Sequence, residues 1–182
     1  VDSLHTADIQ PLTKLEKIVL PTTLKAMEDS LFSNASNLLY VDMHMCDSTN
    51  ISADLKARGF SRLGNDSLQT LVYLPATYGE SDGTNIVVSD GAGFSAEGFR
   101  LIDGRDYYVP YAFKADKVEN TRTLGKSAAP YTICLPYNLP IPGDAKAYKL
   151  SGRSTNELIF TETTETLKAL QPYLIWTTDG DA

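Results

Sequence analysis

Three short stretches of this chain share one spacing of apolar residues, and that spacing restricts the folds open to it more than any other feature. Leu15-x-x-Ile18-x-Leu20, Leu38-x-x-Val41-x-Met43 and Leu68-x-x-Leu71-x-Tyr73 repeat it, and Leu4-x-x-Ala7-x-Ile9 is a weaker copy upstream. Alternation of this kind sends every second residue of a short strand to one face, while the leading apolar residue turns the corner into it. Recurrence at intervals of a few tens of residues marks stacked structural units. Between the first two strands, residues 22–34 carry Leu24, Met27 and Leu31 at helical spacing, which predicts a helical back to the coil. Residues 49–60 read as a looser loop or short helix.

The texture changes after Leu74-Pro75. Asp82-Gly83, Asp90-Gly91 and Asp103-Gly104 are turn signals that separate short runs such as Ile86-Val87-Val88, Tyr131-Thr132-Ile133 and Tyr173-Leu174-Ile175-Trp176. Short strands spaced by such turns predict antiparallel β structure, a sandwich or a partly open barrel. The expected organisation is therefore a solenoid over residues 1–76 and a β module over residues 83–182.

Leu15-Glu16-Lys17-Ile18-Val19-Leu20-Pro21, followed by Leu31-Phe32-Ser33-Asn34-Ala35-Ser36-Asn37-Leu38, resembles the BspA-type leucine-rich repeat of bacterial surface proteins. Leu31-Phe32 stands where that repeat has Ala-Phe, and Asn34-Ala35 where it has Gly-Cys. Further on, Asp106-Tyr107-Tyr108-Val109-Pro110, Thr121-Arg122-Thr123-Leu124, Tyr131-Thr132-Ile133-Cys134-Leu135-Pro136-Tyr137 and Gln171-Pro172-Tyr173-Leu174-Ile175 resemble a β module of secreted Bacteroidetes proteins. The two resemblances imply a fold of class α/β plus β, a short leucine-rich repeat solenoid packed on an antiparallel β-sandwich-like domain. They also imply a non-enzymatic, extracellular or cell-surface protein engaged in adhesion or ligand capture. Its partner would be a host or bacterial surface protein or glycan, and its alternative roles a structural spacer or a carbohydrate-binding accessory module.

Composition narrows the partners. The chain has 182 residues and a formal net charge of −7, which disfavours a surface built to neutralise phosphates, so nucleic acid is not expected as a partner. No run reaches the length of apolar residues that a membrane-spanning helix needs. The chain opens at Val1 without an initiator Met, which leads to the expectation of a mature or trimmed product. Cys46 and Cys134 have no CxxC spacing, so they define neither a disulfide framework nor a zinc knuckle.

With Ile18, Leu20, Val41, Met43 and Leu71 pointing into a solenoid core, Lys17, Val19, Tyr40, Asp42, His44, Thr70 and Val72 line the concave face. Of these, Lys17, Tyr40, Asp42, His44 and Thr70 are the candidate binding residues: an amphipathic ring as anchor, with polar groups around it. Asp42, His44 and Cys46 are of metal-ligating types, yet i, i+2 spacing spreads them along a strand without a fourth ligand, and no metal site or cofactor is expected. Only His5 and His44 are available for acid–base work, His5 beside a loosely held terminus, and no catalytic motif accompanies them, so no catalytic residue is assigned. Cys134 reads as a buried small hydrophobe. Tyr107, Tyr108, Tyr111, Tyr137 and Trp176 offer flat faces for sugar rings or, more simply, fill the β core.

Overall fold

The computed structural model describes residues 2–28, 31–32, 34–46, 70–76, 84–122, 129–143 and 145–177. The chain divides into two compact units, Val1–Thr121 and Arg122–Ala182. The first holds β1 (Ser3–Leu4), α1 (Thr6–Ile9), β2 (Lys17–Val19), β3 (Ala26–Met27), β4 (Tyr40–Asp42), β5 (Leu71–Leu74), β6 (Ile86–Ser89), β7 (Phe94–Ile102) and β8 (Lys114–Thr121). Six of these strands form one sheet in the order β2-β4-β5-β6-β7-β8. The strands β2, β4, β5 and β6 run parallel, β6 meets β7 antiparallel, and β7 and β8 are again parallel.

Register decides what each face of this sheet carries. Tyr40 lies beside Leu71, Val41 beside Val72 and Asp42 beside Tyr73, and Tyr73 lies beside Val87. Val41, Val72, Leu74, Ile86 and Val88 therefore share one face, where they pack with Leu20, Leu24, Leu31, Phe32 and Leu38 into the main apolar core. Tyr40, Asp42, Leu71, Tyr73 and Val87 share the other. All positions of β4 and β5 are buried, the pattern of a parallel sheet covered on both sides.

This arrangement corrects the expected fold class. The described residues are almost entirely β, with α1 the only α-helix among them, and they form no leucine-rich repeat solenoid with a separate β-sandwich. The parallel run of β2, β4, β5 and β6 does not continue as a stack of coils but turns at the antiparallel β6–β7 step into one mixed sheet. Of the strands that follow residue 83, β6, β7 and β8 extend the sheet begun by β2, and the later ones form a single antiparallel sheet instead of a sandwich. The helix expected on the back of the coil is also absent from residues 22–28. There Ala26–Met27 pairs in parallel with Ser3–Leu4, and the Lys25 and Ala26 amides donate to the Asp2 carbonyl at 2.8 and 3.1 Å. A few residues behind Pro21-Thr22-Thr23 cannot repay the cost of helix nucleation, and a strand partner is at hand. Leu24 and Leu31 still reach the core, so their spacing was set by burial and not by helical period. The loop or helix expected over residues 49–60 lies outside the described residues.

The β1–β3 ribbon is closed by Glu28. Its carboxylate accepts from the Thr6 amide at 2.6 Å and from His5 Nδ1 at 3.0 Å, so His5 is held in place despite its nearness to the chain terminus. These donors bring the Glu28 carboxyl down to about 2, and the hydrogen bond to Glu28 pushes the His5 imidazole above its ordinary value.

At the entry to β6, Asn85 adopts a left-handed conformation with φ of 65°, which asparagine tolerates better than most residues. It joins three strands: its amide donates to the Gly98 carbonyl at 2.9 Å, its carbonyl accepts from Val72 at 3.0 Å, and its side-chain oxygen accepts from the Arg100 amide at 2.8 Å. A Cβ on Gly98 would sit 3.4 Å from the Thr84 hydroxyl and 3.5 Å from its Cα, so the glycine permits the close bridge between Thr84 and Gly98.

The second unit is a four-stranded antiparallel sheet of β9 (Tyr131–Ile133), β10 (Ala145–Arg153), β11 (Leu158–Thr163) and β12 (Tyr173–Thr177), in the order β11-β10-β12-β9. Ala147, Leu167 and Tyr173 form its buried cluster, with Ile133, Leu139 and Ile141 packed against them. Cys134 is exposed, a correction to its expected burial. It follows Ile133, which packs on the cluster, and alternation turns it outward.

Two outcomes test this fold. Val72→Asp places a charge in the main core and should cost more than about 4 kcal/mol, whereas Val19→Asp, at a position 70% exposed, should stay within about 0.5 kcal/mol; urea denaturation of both variants distinguishes this register from one shifted by a residue. For the ribbon, the lowered Glu28 carboxyl contributes stability above pH 4.5 that is lost as pH falls toward about 2. The raised His5 contributes below pH 6.5 and its share is lost as pH rises through its folded value. Proton NMR should show His5 titrating above 6.5 and returning to the ordinary value in Glu28→Gln; a His5 midpoint unchanged by that substitution would refute the contact.

Candidate functional site

The second face of the large sheet centres on one carboxylate. Asp42 sits at the end of β4 with its side chain only 3% exposed, and a charged group at that depth must be hydrogen-bonded. Its Oδ2 accepts from the Tyr40 hydroxyl. Its Oδ1 accepts from the His44 amide at 3.0 Å and from His44 Nδ1 at 2.5 Å. The strand alternation explains the first contact, since Tyr40 and Asp42 are on the same face. The second follows from the chain turning directly after Asp42, with the Cys46 amide donating to the Met43 carbonyl at 2.9 Å. Because a carboxylate only accepts, Nδ1 of His44 carries the proton and the ring is held in one orientation.

Aromatic rings enclose this group. Residues 103–113, which connect β7 to the parallel strand β8, lay Tyr108, Tyr111 and Phe113 over the face. Tyr108 meets Tyr40 edge-on at 5.6 Å, and Tyr73 meets Tyr40 at 5.5 Å and Tyr111 at 5.6 Å. Phe94 stacks on Tyr111 at 5.2 Å, and His44 presents its edge to both, at 5.4 and 5.2 Å. The Tyr73 hydroxyl donates to the Tyr111 carbonyl at 2.8 Å and so fixes the crossover to the sheet. Burial, aided by the neighbouring Asp42 carboxylate, pushes the Tyr40 hydroxyl far above the ordinary tyrosine value; burial does the same for Tyr73. Both remain protonated donors throughout the physiological range.

Of the residues expected on an open concave face, Tyr40, Asp42 and His44 are brought together, but under a covering of rings. Lys17 stays outside, with its Nζ 3.6 Å from the centre of the Tyr108 ring in a cation–π contact. Thr70 does not join them: it is buried and donates to the Leu38 carbonyl at 2.6 Å, and Val72 belongs to the main core. Sequence reasoning missed Tyr73, Phe94 and Phe113. Tyr73 enters the sequence pattern only as the last residue of the third repeat, and the crossover that brings Tyr111 and Phe113 in carries no spacing signal of its own. Cys46 turns the other way, its Sγ 3.3 Å from the Pro21 carbonyl oxygen, with burial pushing its thiol up to about 11. Among the described residues there is no group of three or more His, Cys, Asp or Glu side chains able to hold a metal ion.

What reaches solvent here is aromatic. Tyr107, Tyr108 and Tyr111 are 42%, 37% and 40% exposed, all on the one crossover, with rings beneath Tyr108 and Tyr111. Comparison with protein-family models, with curated proteins and with solved structures finds no match to this chain.

The Tyr40–Asp42 contact has a measurable energy. Tyr40→Phe should cost about 1.5–3 kcal/mol, the range for a hydrogen bond to a charged group, and Asp42→Ala about 2–4 kcal/mol because it strands three donors, the Tyr40 hydroxyl among them buried. A double-mutant cycle should give a coupling of about 1 kcal/mol or more; additivity within about 0.3 kcal/mol would show that the two side chains act separately.

Proposed function

We propose that this chain is a non-enzymatic binding module that works at the cell surface or outside the cell, taking its partner through the Tyr107–Tyr108–Tyr111 crossover. The observation that carries this reading is the state of those tyrosines: each shows a large part of its ring to solvent, and Tyr108 and Tyr111 are packed edge-on or face-on against buried rings. Tyrosine gives large contact area with few rotatable bonds, and rings immobilised before contact lose less freedom on binding. Lys17 and the partly exposed His44 place polar groups beside the rings, the mixture of aromatic anchor and polar rim found where proteins recognise each other. The setting implied by the resemblance to exported adhesion proteins fits such a surface.

The partner favoured is a protein displayed on a host or bacterial surface. One face of Tyr108 is occupied by Lys17 and one face of Tyr111 by Phe94, which leaves less free ring area for stacking on sugars than three open tyrosines would. A carbohydrate-binding accessory role is the second reading, supported by the remaining exposed faces.

A panel of immobilised matrix proteins and a broad glycan array, probed with the purified chain at two salt concentrations, tests both. A saturable, salt-resistant protein hit that weakens about tenfold or more in Tyr107→Ala and Tyr111→Ala is the expected result. A glycan hit with the same loss would move the assignment to the second reading. Binding indifferent to all three tyrosines, or turnover of a glycan by the pure chain, would overturn the proposal.

A further inference from the structure

Independently of the tyrosine surface, the second unit carries an apolar sheet edge. In β11 Leu158, Ile159 and Phe160 are 63%, 50% and 38% exposed, and among the described residues the strand lies at the end of the sheet order, hydrogen-bonded on one side to β10 alone. Register places them. Ala147 and Tyr173, with Ile133, define the face that holds the unit's buried cluster. Leu150 lies beside Phe160 and Tyr148 beside Glu162, so Leu150, Leu158, Phe160 and Glu162 stand on the opposite face. Leu150 is itself 51% exposed. Free strand edges that are flat and apolar pair with other strands unless a charge or a bulge prevents it. Here the one bulge, at Leu150 and Gly152, is on β10 and leaves β11 regular.

We infer that β11 is a homodimer edge, pairing antiparallel with β11 of a second copy about a two-fold axis through Phe160. The chemistry of the strand is self-complementary in that register and says why the occupant is another copy. Phe160 then faces its own counterpart, with Leu150 of each copy outside it, which gives one continuous apolar row across four strands. On the other face Ile159 lies opposite Thr161, a pair of β-branched side chains suited to a sheet. Leu158 lies opposite Glu162 of the second copy, and Arg153 stands one strand further along the same row, so each Glu162, whose carboxylate is 4.0 Å from Lys146 Nζ of its own copy, has an arginine of the other copy within reach over Leu158. No like charges are opposed in this pairing. A two-strand edge contact is small, so the association is a weak one.

Sedimentation equilibrium of the full chain should show monomer passing to dimer between about 10 µM and about 1 mM. Arg153→Glu and Glu162→Arg should each weaken the dimer about fivefold or more, and the two together should restore it. All these side chains are exposed, so folding is preserved, and far-ultraviolet circular dichroism checks that it is. In a Cys134→Ser background, Phe160→Cys should form an intermolecular disulfide under mild oxidation, because the two sulfurs lie directly opposite, whereas Leu158→Cys should not. A monomer across the whole concentration range would overturn the proposal. So would a dimer that ignores both charge reversals and leaves Phe160→Cys unlinked, since its contact would lie elsewhere.

Discussion

One buried carboxylate sets the terms for the larger unit. Asp42 is nearly inaccessible, and the cost of burying it charged is offset only if its oxygens are saturated by donors that cannot leave. Tyr40 meets that need from two residues upstream and His44 from two residues downstream, so a five-residue stretch closes on itself. The closure has structural consequences. Tyr40 must lie flat on the second face with its hydroxyl turned along the strand, and His44 must sit where the chain bends away from β4. Two fixed rings then become the floor on which Tyr73, Phe94, Tyr108 and Tyr111 pack. The polar group is thus a positioning device for an otherwise apolar layer, and removing it would leave that layer without a defined centre.

Much of the strand pattern was legible in the sequence, and the way it failed is informative. The spacing Leu15-x-x-Ile18-x-Leu20 and its copies locates β2, β4 and β5 because alternation follows directly from the pleat. The same spacing put Leu71 in the core and Val72 outside, whereas the structure turns Val72 into the main core and Leu71 to the opposite face, which is also buried. A shift of one residue exchanges the two faces of a strand, and sequence pattern resists that error only when one face is polar. In Leu71-Val72-Tyr73-Leu74 every side chain is apolar or aromatic, because both faces are covered, so nothing local distinguishes inside from outside. The helix expected over residues 22–34 failed for a related reason. Leu24 and Leu31 needed burial, and a turn followed by a short strand satisfied that need as well as a helix would. Of the candidate binding residues, Tyr40, Asp42 and His44 were found because polar residues alternating on a strand are unusual. Their burial was not, because the cover comes from the β7–β8 crossover, far along the chain.

The second unit shows the opposite balance. Its sheet has one face resting on a small cluster around Ala147, Leu167 and Tyr173 and the other face largely in solvent, an economy open to antiparallel sheets and closed to fully buried parallel ones. Such a sheet should carry polar residues on its open side, as β10 does with Lys146 and as β11 does at Glu162. Leu174 and Trp176 stand on that side too, half-buried, and the exposed apolar part is the Leu150–Phe160 row with Leu158 beside it. Exposed singly these residues would need no explanation, but three on adjacent strands form a continuous patch, which is the form in which surface apolarity becomes informative.

The two units also differ in how a partner would meet them. On the larger unit β4 and β5 are buried throughout, so the proposed recognition would fall to the crossover laid across them, whose Tyr108 and Tyr111 are held by contacts that the sheet supplies. Rigidity there comes from below, through the Tyr73 hydroxyl on the Tyr111 carbonyl and the ring stack of Phe94, and variation in the exposed tyrosines would leave that support in place. On the smaller unit the strand edge is exposed directly and offers its backbone as well as its side chains. The proposed ligand surface on a covered sheet and the proposed assembly surface on a bare edge would be physically separable functions. Multiplying the first by means of the second would raise avidity with no change to either contact.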